Sequence, residues 1–381
     1  MNIQFPSGSG IQGFVYWLLS QIMGWGWLSY AIAIIFFTLF IKLILSPLDF
    51  FNRLLTRRTQ IKQQALAGEV KDLEKIYGND PLTFTRARQA LYQKNGVGGM
   101  GSSLIALVSV IVTMVVFFQV MGALNNISNY NIRIQYQELQ GVYQEYVADK
   151  DAANLTDEQK TELSNLLNAK YNDVKITGGW IKNLWQPDNP LMKPIKSVND
   201  YNKSQPNDYK LTTDEQVAEY NAIYDYIDVK NQPNGFFILA ILSALTVFGS
   251  LKINALMAKR NAPKKVEEKK PEQIITYSLR DAKQQGAEQE KPMVDPAQMT
   301  NIMMWVMPLL YVYFATLQTS AFAIYMIASS AVSTLLSVGF GFLIDLILRH
   351  VKTPEIKKEF DATVINPHTK YFKGGKKWTN L

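Results

Sequence analysis

Lys42 is the residue whose type and position most need explaining. No Lys, Arg, Asp or Glu precedes it in a chain of 381 residues, and it lies inside the apolar run 27–48. An ammonium in the middle of a membrane span costs about 2.5–3.5 kcal/mol on insertion scales, so it turns towards protein, water or the nearest interface. Counted from Trp27 at about 1.5 Å per residue, Lys42 sits about 22 Å into a hydrocarbon layer about 30 Å thick. Its ammonium is therefore within snorkelling reach of the far face. On position alone, snorkelling and a buried functional role weigh equally. Polar side chains in other apolar runs favour the second: Ser109, Thr113 and Gln119; Ser243 and Thr246; Ser329, Ser330, Ser333 and Thr334. Together with Lys42 they could line a hydrated cavity, although Ser and Thr are also common where membrane helices pack.

Other chemistry is sparse. Without Cys there is no disulfide framework, thiolate metal site or Cys nucleophile. The two histidines, His350 and His368, lie apart in a basic tail, which argues against a zinc site or a Ser-His-Asp triad. Gly96-Val97-Gly98-Gly99-Met100-Gly101 matches G-x-G-x-x-G, but a dinucleotide fingerprint needs a preceding strand. Here a helical pattern precedes and an apolar run follows, so a flexible joint is the better reading. No catalytic residue, metal or cofactor is expected.

The elements that position Lys42 emerge from hydropathy. Five runs are long and apolar enough to cross a bilayer: 27–48, 102–124, 235–257, 302–318 and 320–348. Their only charges are Lys42, Lys252 and Asp345, with Asp49 just past the first. Lys252 and Asp345 read as interfacial, by snorkelling or pairing. The net charge of +7 hides an asymmetry. Residues 51–100 hold nine basic and four acidic side chains, 258–297 nine and seven, and 349–381 eight and three, whereas 125–234 holds eleven and sixteen. Basic segments stay in the cytoplasm, so the N-terminus and residues 125–234 lie outside and the C-terminus inside. The expected fold is an all-α membrane protein of five transmembrane helices.

Its parts divide as follows. Residues 1–26 form an uncleaved interfacial helix whose apolar stripe is Ile11, Phe14, Trp17, Leu18, Ile22 and Met23. Residues 27–50 are the first span. Residues 51–100 form a cytoplasmic helical hairpin. Residues 101–124 are the second span, 125–234 a helical extracytoplasmic insertion, 235–257 the third span and 258–300 a charged loop. Residues 301–348 hold the fourth and fifth spans, and 349–381 are a basic tail. In the hairpin, Leu54, Ile61, Ala65, Val70, Leu73 and Tyr77 recur at helical spacing and should meet Leu82, Ala87 and Leu91 of the second arm. Gly78 ends the first arm, Asp80 caps the second and Pro81 occupies its first turn. In the insertion, helices are expected over 134–150, over 156–171 behind a Thr156/Gln159 capping box, and over 213–226. Arg57, Arg58, Lys62, Arg86 and Arg88 on the hairpin suit anionic lipid, a ribosome or a targeting factor, or make the hairpin a plain spacer. Lys373, Lys376 and Lys377 in the tail suit ribosomal RNA or anionic lipid, or simply solubilise it.

Several local sequences resemble the YidC/Oxa family of membrane protein insertases. Ile41-Lys42-Leu43-Ile44-Leu45-Ser46-Pro47-Leu48 is similar to that family's basic residue followed by Pro-Leu. Tyr77-Gly78-Asn79-Asp80-Pro81 and Ala90-Leu91-Tyr92-Gln93-Lys94-Asn95-Gly96-Val97 are similar to its hairpin turn and exit. Leu184-Trp185-Gln186-Pro187-Asp188 is a weaker match to the approach to the third span, while Met304, Pro308 and Leu309, and Ile324-Tyr325, match parts of the fourth and fifth. There are departures. Members usually carry Arg where this chain has Lys42, which keeps the charge but loses the bidentate fork. The Asn-Pro before the second span is replaced by Val97-Gly98-Gly99, and Met326 stands where Trp is usual. The large domain of Gram-negative members is absent, and residues 125–234 are unusually long.

The resemblance implies an insertase of the bacterial plasma membrane, without catalytic residues. Its partners would be nascent membrane proteins, with the ribosome, the Sec translocon and anionic lipids as candidates. Lys42 would attract acidic translocated segments in a groove shared with the polar residues named above. Two other readings stay open: a chaperone or assembly scaffold acting through residues 125–234, and a solute transporter.

Overall fold

The computed structural model describes residues 3–77, 80–97, 100–150, 152, 154–261 and 296–349. Gly78, Gly98, Gly99, most of the 258–300 loop and the tail with Lys373, Lys376 and Lys377 lie outside them. The described residues form eleven α-helices, with a 3-10 turn at Asn207–Tyr209 and one isolated bridge, Gly178 to Ile181. Among the described residues, four helices are long and apolar enough to cross a membrane: Tyr30–Ala65, Leu104–Val147, Ile238–Met257 and Ser320–Leu348. The expected fourth span, 302–318, corresponds to a shorter apolar stretch, Met304–Leu317. It belongs to the helix Pro296–Leu317.

The chain divides into two units, residues 1–42 with 116–335, and residues 43–115 with 336–381. Three helices pass through a unit boundary, and two of them continue where breaks are expected. The helix that carries the first apolar run does not end near residue 50. Helix α2 runs Tyr30–Ala65, through Pro47, into the hairpin. Proline has no N–H to give the carbonyl four residues back. Here the Ser46 hydroxyl donates to the Leu43 carbonyl at 2.8 Å and satisfies it instead. Likewise the helix expected over 134–150 is no separate element: α5 is one helix, Met100–Val147. Through the asparagine-rich stretch 125–131 the helix is unbroken, with Ser128 bonding back to the Leu124 carbonyl and Asn131 to that of Ile127. Asn131 is also fixed by the backbone of Gln4.

In the first unit, α1 (Gly10–Met23) buries Val15, Tyr16, Leu19 and Ile22. Of the expected apolar stripe, Ile11, Phe14 and Trp17 are exposed and Ile22 is buried. Gln12 and Tyr16 both accept from Asn126 of α5 at 3.3 Å. The insertion holds α6 (Asp157–Val174), α7 (Val198–Ser204) and α8 (Asp214–Asp225). The expected Thr156 capping box is formed, and Thr213 with Gln216 makes a second. Tyr136, Tyr201, Tyr220 and Tyr224 form its aromatic centre, with ring centroids as close as 4.6 Å.

Residues 183–189 are buried, and they fix the start of α9 (Ile238–Asn261). Asn234 accepts from the Asn183 N–H and donates to the Asn183 and Pro187 carbonyls. The Asp188 carboxylate accepts from Phe236 N at 2.7 Å, Leu239 N at 2.6 Å and the Trp180 indole at 3.2 Å. It thereby caps α9 from across the fold, and a Cβ on Gly235 would collide with it. Helix α9 packs on α10 (Pro296–Leu317), Phe248 meeting Trp305 at 5.9 Å. Ser320, opening α11 (Ser320–Arg349), donates its N–H and hydroxyl to the Gln186 carbonyl.

In the second unit, α3 (Ala67–Tyr77) and α4 (Pro81–Lys94) form the hairpin. Its core is Leu66, Leu73, Ala87, Leu91 and Val97, with Val70, Tyr77, Phe84 and Tyr92 against it. Asp80 accepts from Leu82 N and Thr83 N as expected of a cap. Leu82 itself is 63% exposed, contrary to expectation. The inward face follows 84, 87 and 91, and Leu82 falls off it.

Lys196 provides a measurable check on this packing. It donates to Asn129 Oδ1 at 2.9 Å, and burial pushes its ammonium down to about 8, against a weaker opposing pull from Asp200. A lysine whose folded pKa is lowered binds fewer protons folded than unfolded between about pH 8 and 10.5. The contribution of Lys196 to stability therefore rises with pH across that window, by about 2 kcal/mol from pH 8 to 10. The buried tyrosines are shifted upwards, Tyr201 to about 12, and pull the other way as the unfolded chain begins to ionise its tyrosines near pH 10. Chemical denaturation from pH 8 to 10 should therefore show the wild type gaining about 2 kcal/mol relative to Lys196→Met across the window, the tyrosines being common to both. Equal slopes would place Lys196 in water.

Candidate functional site

Helix α2 turns Tyr30, Ala33, Ile34, Phe37, Thr38 and Ile41 inward, an i, i+3, i+4, i+7 face. Phe37 meets Tyr325 of α11 at 6.4 Å between centroids, and Phe322 links onward to Phe117 of α5 at 5.5 Å. Thr38 is fully buried and donates to the Ile34 carbonyl at 2.7 Å. One turn further on, Lys42 is partly buried at the edge of this face. Leu39, Phe40, Leu43 and Ile44 around it are exposed. The chain thus places an ammonium where a packed polar-containing face meets a bare apolar one.

The hydroxyls expected to accompany Lys42 largely satisfy themselves. Thr113 donates to the Ser109 carbonyl, Ser243 to Ala240, Thr246 to Ser243 and Thr334 to Ser330, each within its own helix. Such bonds neutralise the hydroxyl locally and leave its oxygen free to accept. Ser109, Ser243 and Ser330 are buried; Gln119, Thr246, Ser329 and Ser333 are partly buried; Thr113 is exposed. Lys42, Gln119, Ser243, Thr246, Ser329, Ser330 and Ser333 fall in the first unit, Ser109 and Thr113 in the second.

The basic hairpin residues divide by what they touch. Lys62 donates to the Gly96 carbonyl at 3.2 Å, closing the hairpin onto the end of α2. Arg88 lies over the Phe84 ring at 5.5 Å. Arg58 and Arg86 are exposed. Arg57 approaches Asp345 of α11 at 3.8 Å, so Asp345 is paired, one of its two expected states. Lys252 is exposed, with its ammonium 5.7 Å from the Phe248 ring. Sequence reasoning missed Arg53, which donates to Asp49 at 3.0 Å and to Ser337 of α11 at 2.7 Å. The i, i+4 spacing of Asp49 and Arg53 is a visible signal. The bond to Ser337, far along the chain, carries none. Phe50 against Phe340 at 5.4 Å completes the contact. Among the described residues, no group of three or more His, Cys, Asp or Glu is placed to hold a metal.

Four helices long and apolar enough to cross a bilayer, one of them running on into a helical hairpin, define a membrane protein. Comparison with known proteins gives its family. The family model described as 60Kd inner membrane protein matches residues 18–340, and the chain belongs to that family, the YidC/Oxa type. It is similar to the membrane protein insertase YidC of Clostridium perfringens (strain 13 / Type A), 29% identical over 174 residues, covering 44% of this chain and 65% of that protein. It is also similar to the membrane protein insertase YidC of Clostridium tetani (strain Massachusetts / E88), 37% identical over 76 residues, 20% of this chain and 33% of that one. The matched regions thus span about a third and just under two thirds of those relatives. No solved structure matches.

The Arg53–Ser337 contact holds α2 beyond the apolar run against α11. A double-mutant cycle on Arg53→Ala and Ser337→Ala should return a coupling of about 1 kcal/mol in thermal unfolding in detergent. Additive effects would mean that the bond contributes nothing to the fold.

Proposed function

We propose that this protein inserts newly made proteins into the bacterial plasma membrane, and that Lys42 is the group through which it handles their polar segments. The carrying observation is the partly buried ammonium at the edge of the packed face of α2 in a chain of this family. In this reading α10 is a fifth span, the N-terminus and residues 125–234 face outwards, and the hairpin and tail face the cytoplasm, as the basic residues require.

Moving a hydrophilic segment through lipid strips water from peptide groups, at several kcal/mol for each group left unsatisfied. A hydrated groove open to the cytosol and to lipid shortens that path. Lys42 attracts acidic side chains of the incoming segment, and Ser243, Thr246, Ser329, Ser330, Ser333 and Gln119 offer acceptor oxygens or amide donors. The groove as proposed draws on these first-unit residues alone. The exposed side chains Leu39 and Phe40 give the substrate's apolar segment a route into lipid, driven by burial. No covalent bond changes, so no catalytic group is needed. Nascent membrane proteins are the substrates, with the ribosome, the Sec translocon and anionic lipid as proposed partners for the basic hairpin and tail.

In liposomes containing only this protein, Lys42→Ala should lower insertion of a single-span substrate with an acidic translocated tail about tenfold, the equivalent of one lost charge contact of about 1.4 kcal/mol. Lys42→Arg should retain insertion, and a substrate with an uncharged tail should be less affected. Unchanged insertion by Lys42→Ala would make Lys42 a snorkelling residue and nothing more.

A further inference from the structure

The insertion is acidic as a whole, with eleven basic and sixteen acidic residues over 125–234. Its cavities go against that trend. One, of about 590 Å³, is lined by Lys193, Lys196 and Lys203 against a single acid, Asp200. A second, of about 580 Å³, shares Lys193 and Lys196, adds Lys230, and has no acid among its lining residues. The contacts these lysines make in the first cavity leave most of their charge unmatched. Lys196 bonds the neutral Asn129 and Lys193 the neutral Asn231, while Lys203 stands 3.9 Å from Asp200. Gln186 also lines this cavity. It is buried, and its amide nitrogen finds no acceptor among the described residues. That is a donor without a partner beside three cations.

The location narrows the ligand. The same wall contains Asn125 of α5 and Leu317, Gln318 and Thr319 from the turn between α10 and α11, where apolar helices end. Its rim carries Leu191, 86% exposed, and Met192, 40% exposed. Exposed apolar side chains beside lysines match a molecule that joins an anion to hydrocarbon.

We propose that this cavity holds the phosphate of an anionic phospholipid headgroup. Lys196 and Lys203 contact the phosphate oxygens, the Gln186 amide turns to donate to one of them, and Leu191 and Met192 lie along the acyl chains. A phosphodiester brings one negative charge to a lining whose three lysines and Asp200 leave two positive charges over, and it competes with Asp200 for Lys203. The proposed orientation decides only which leaflet supplies the lipid, namely the outer one. Free glycerol phosphate offers the same oxygens without hydrocarbon, so the test separates the two.

The full chain would be reconstituted in nanodiscs of equal phosphatidylglycerol and phosphatidylcholine, released into mild detergent, and its retained lipid counted by native mass spectrometry. Phosphatidylglycerol should be retained in excess, and Lys203→Gln and Lys196→Gln should each reduce that excess about fivefold, as expected for one lysine at an anionic surface. Millimolar glycerol phosphate should not displace the lipid. Lys203 is exposed and its replacement preserves the fold, so its result stands even if Lys196→Gln unfolds. Equal retention of the two lipids, an excess that persists in Lys203→Gln, or displacement by glycerol phosphate would each overturn the proposal. The assay reads lipid retention rather than insertion, so it succeeds or fails independently of the proposed activity.

Discussion

A polar group inside a hydrocarbon layer must find its partner within the protein, and this constraint organises nearly every feature of the molecule. It explains why the long apolar segments are helices, since a helix bonds its own peptide groups. It explains why Ser46 covers the carbonyl that Pro47 orphans, and why Thr38, Thr113, Ser243, Thr246 and Thr334 bond back to their own backbones. The same rule makes Asp188 informative. A buried carboxylate persists because three N–H groups converge on it, that of Leu239 in the first turn of α9 and that of Phe236 just ahead of it among them. Lys42 is where the rule is most conspicuous: a charge in an apolar helix, at the margin between packed and bare surface.

The structure also shows how one helix can serve two environments. Helix α2 carries the first apolar run and continues into the hairpin, and α5 carries the second and continues into the insertion. In the first unit the face that packs Phe37 sets where Lys42, at its edge, lies. In the second unit Arg53 and Phe50 hold the later part of α2 against α11.

Much of this was legible in the sequence, for physical reasons that also mark its limits. Of the five runs that apolar length marked, four are helices long and apolar enough to cross a membrane, because membrane thickness is a fixed ruler. The Asp80 and Thr156 caps were readable because a cap is a local interaction. What failed depended on distant partners. The helix expected over 134–150 is part of α5, which stays unbroken through Asn131, held by Gln4 and by the Ile127 carbonyl. Leu82 was misplaced by one face because a short arm offers too few apolar positions to fix its phase. At the site, Lys42 was conspicuous from sequence, whereas Arg53, Thr38 and the lysine-lined cavity required the fold.

The central claim is that the charge at position 42 works from a place that water reaches. The chain contains no cysteine, so Lys42→Cys introduces the sole thiol. That variant, reconstituted and treated from the cytoplasmic side with a membrane-impermeant trimethylammonium thiosulfonate, regains a fixed positive charge if water reaches the site. The account predicts that modification proceeds and restores insertion of an acidic-tailed substrate, while a negatively charged sulfonate reagent reacts without restoring it. A thiol that stays unreactive, or one that reacts with either reagent to no effect on insertion, would contradict the account.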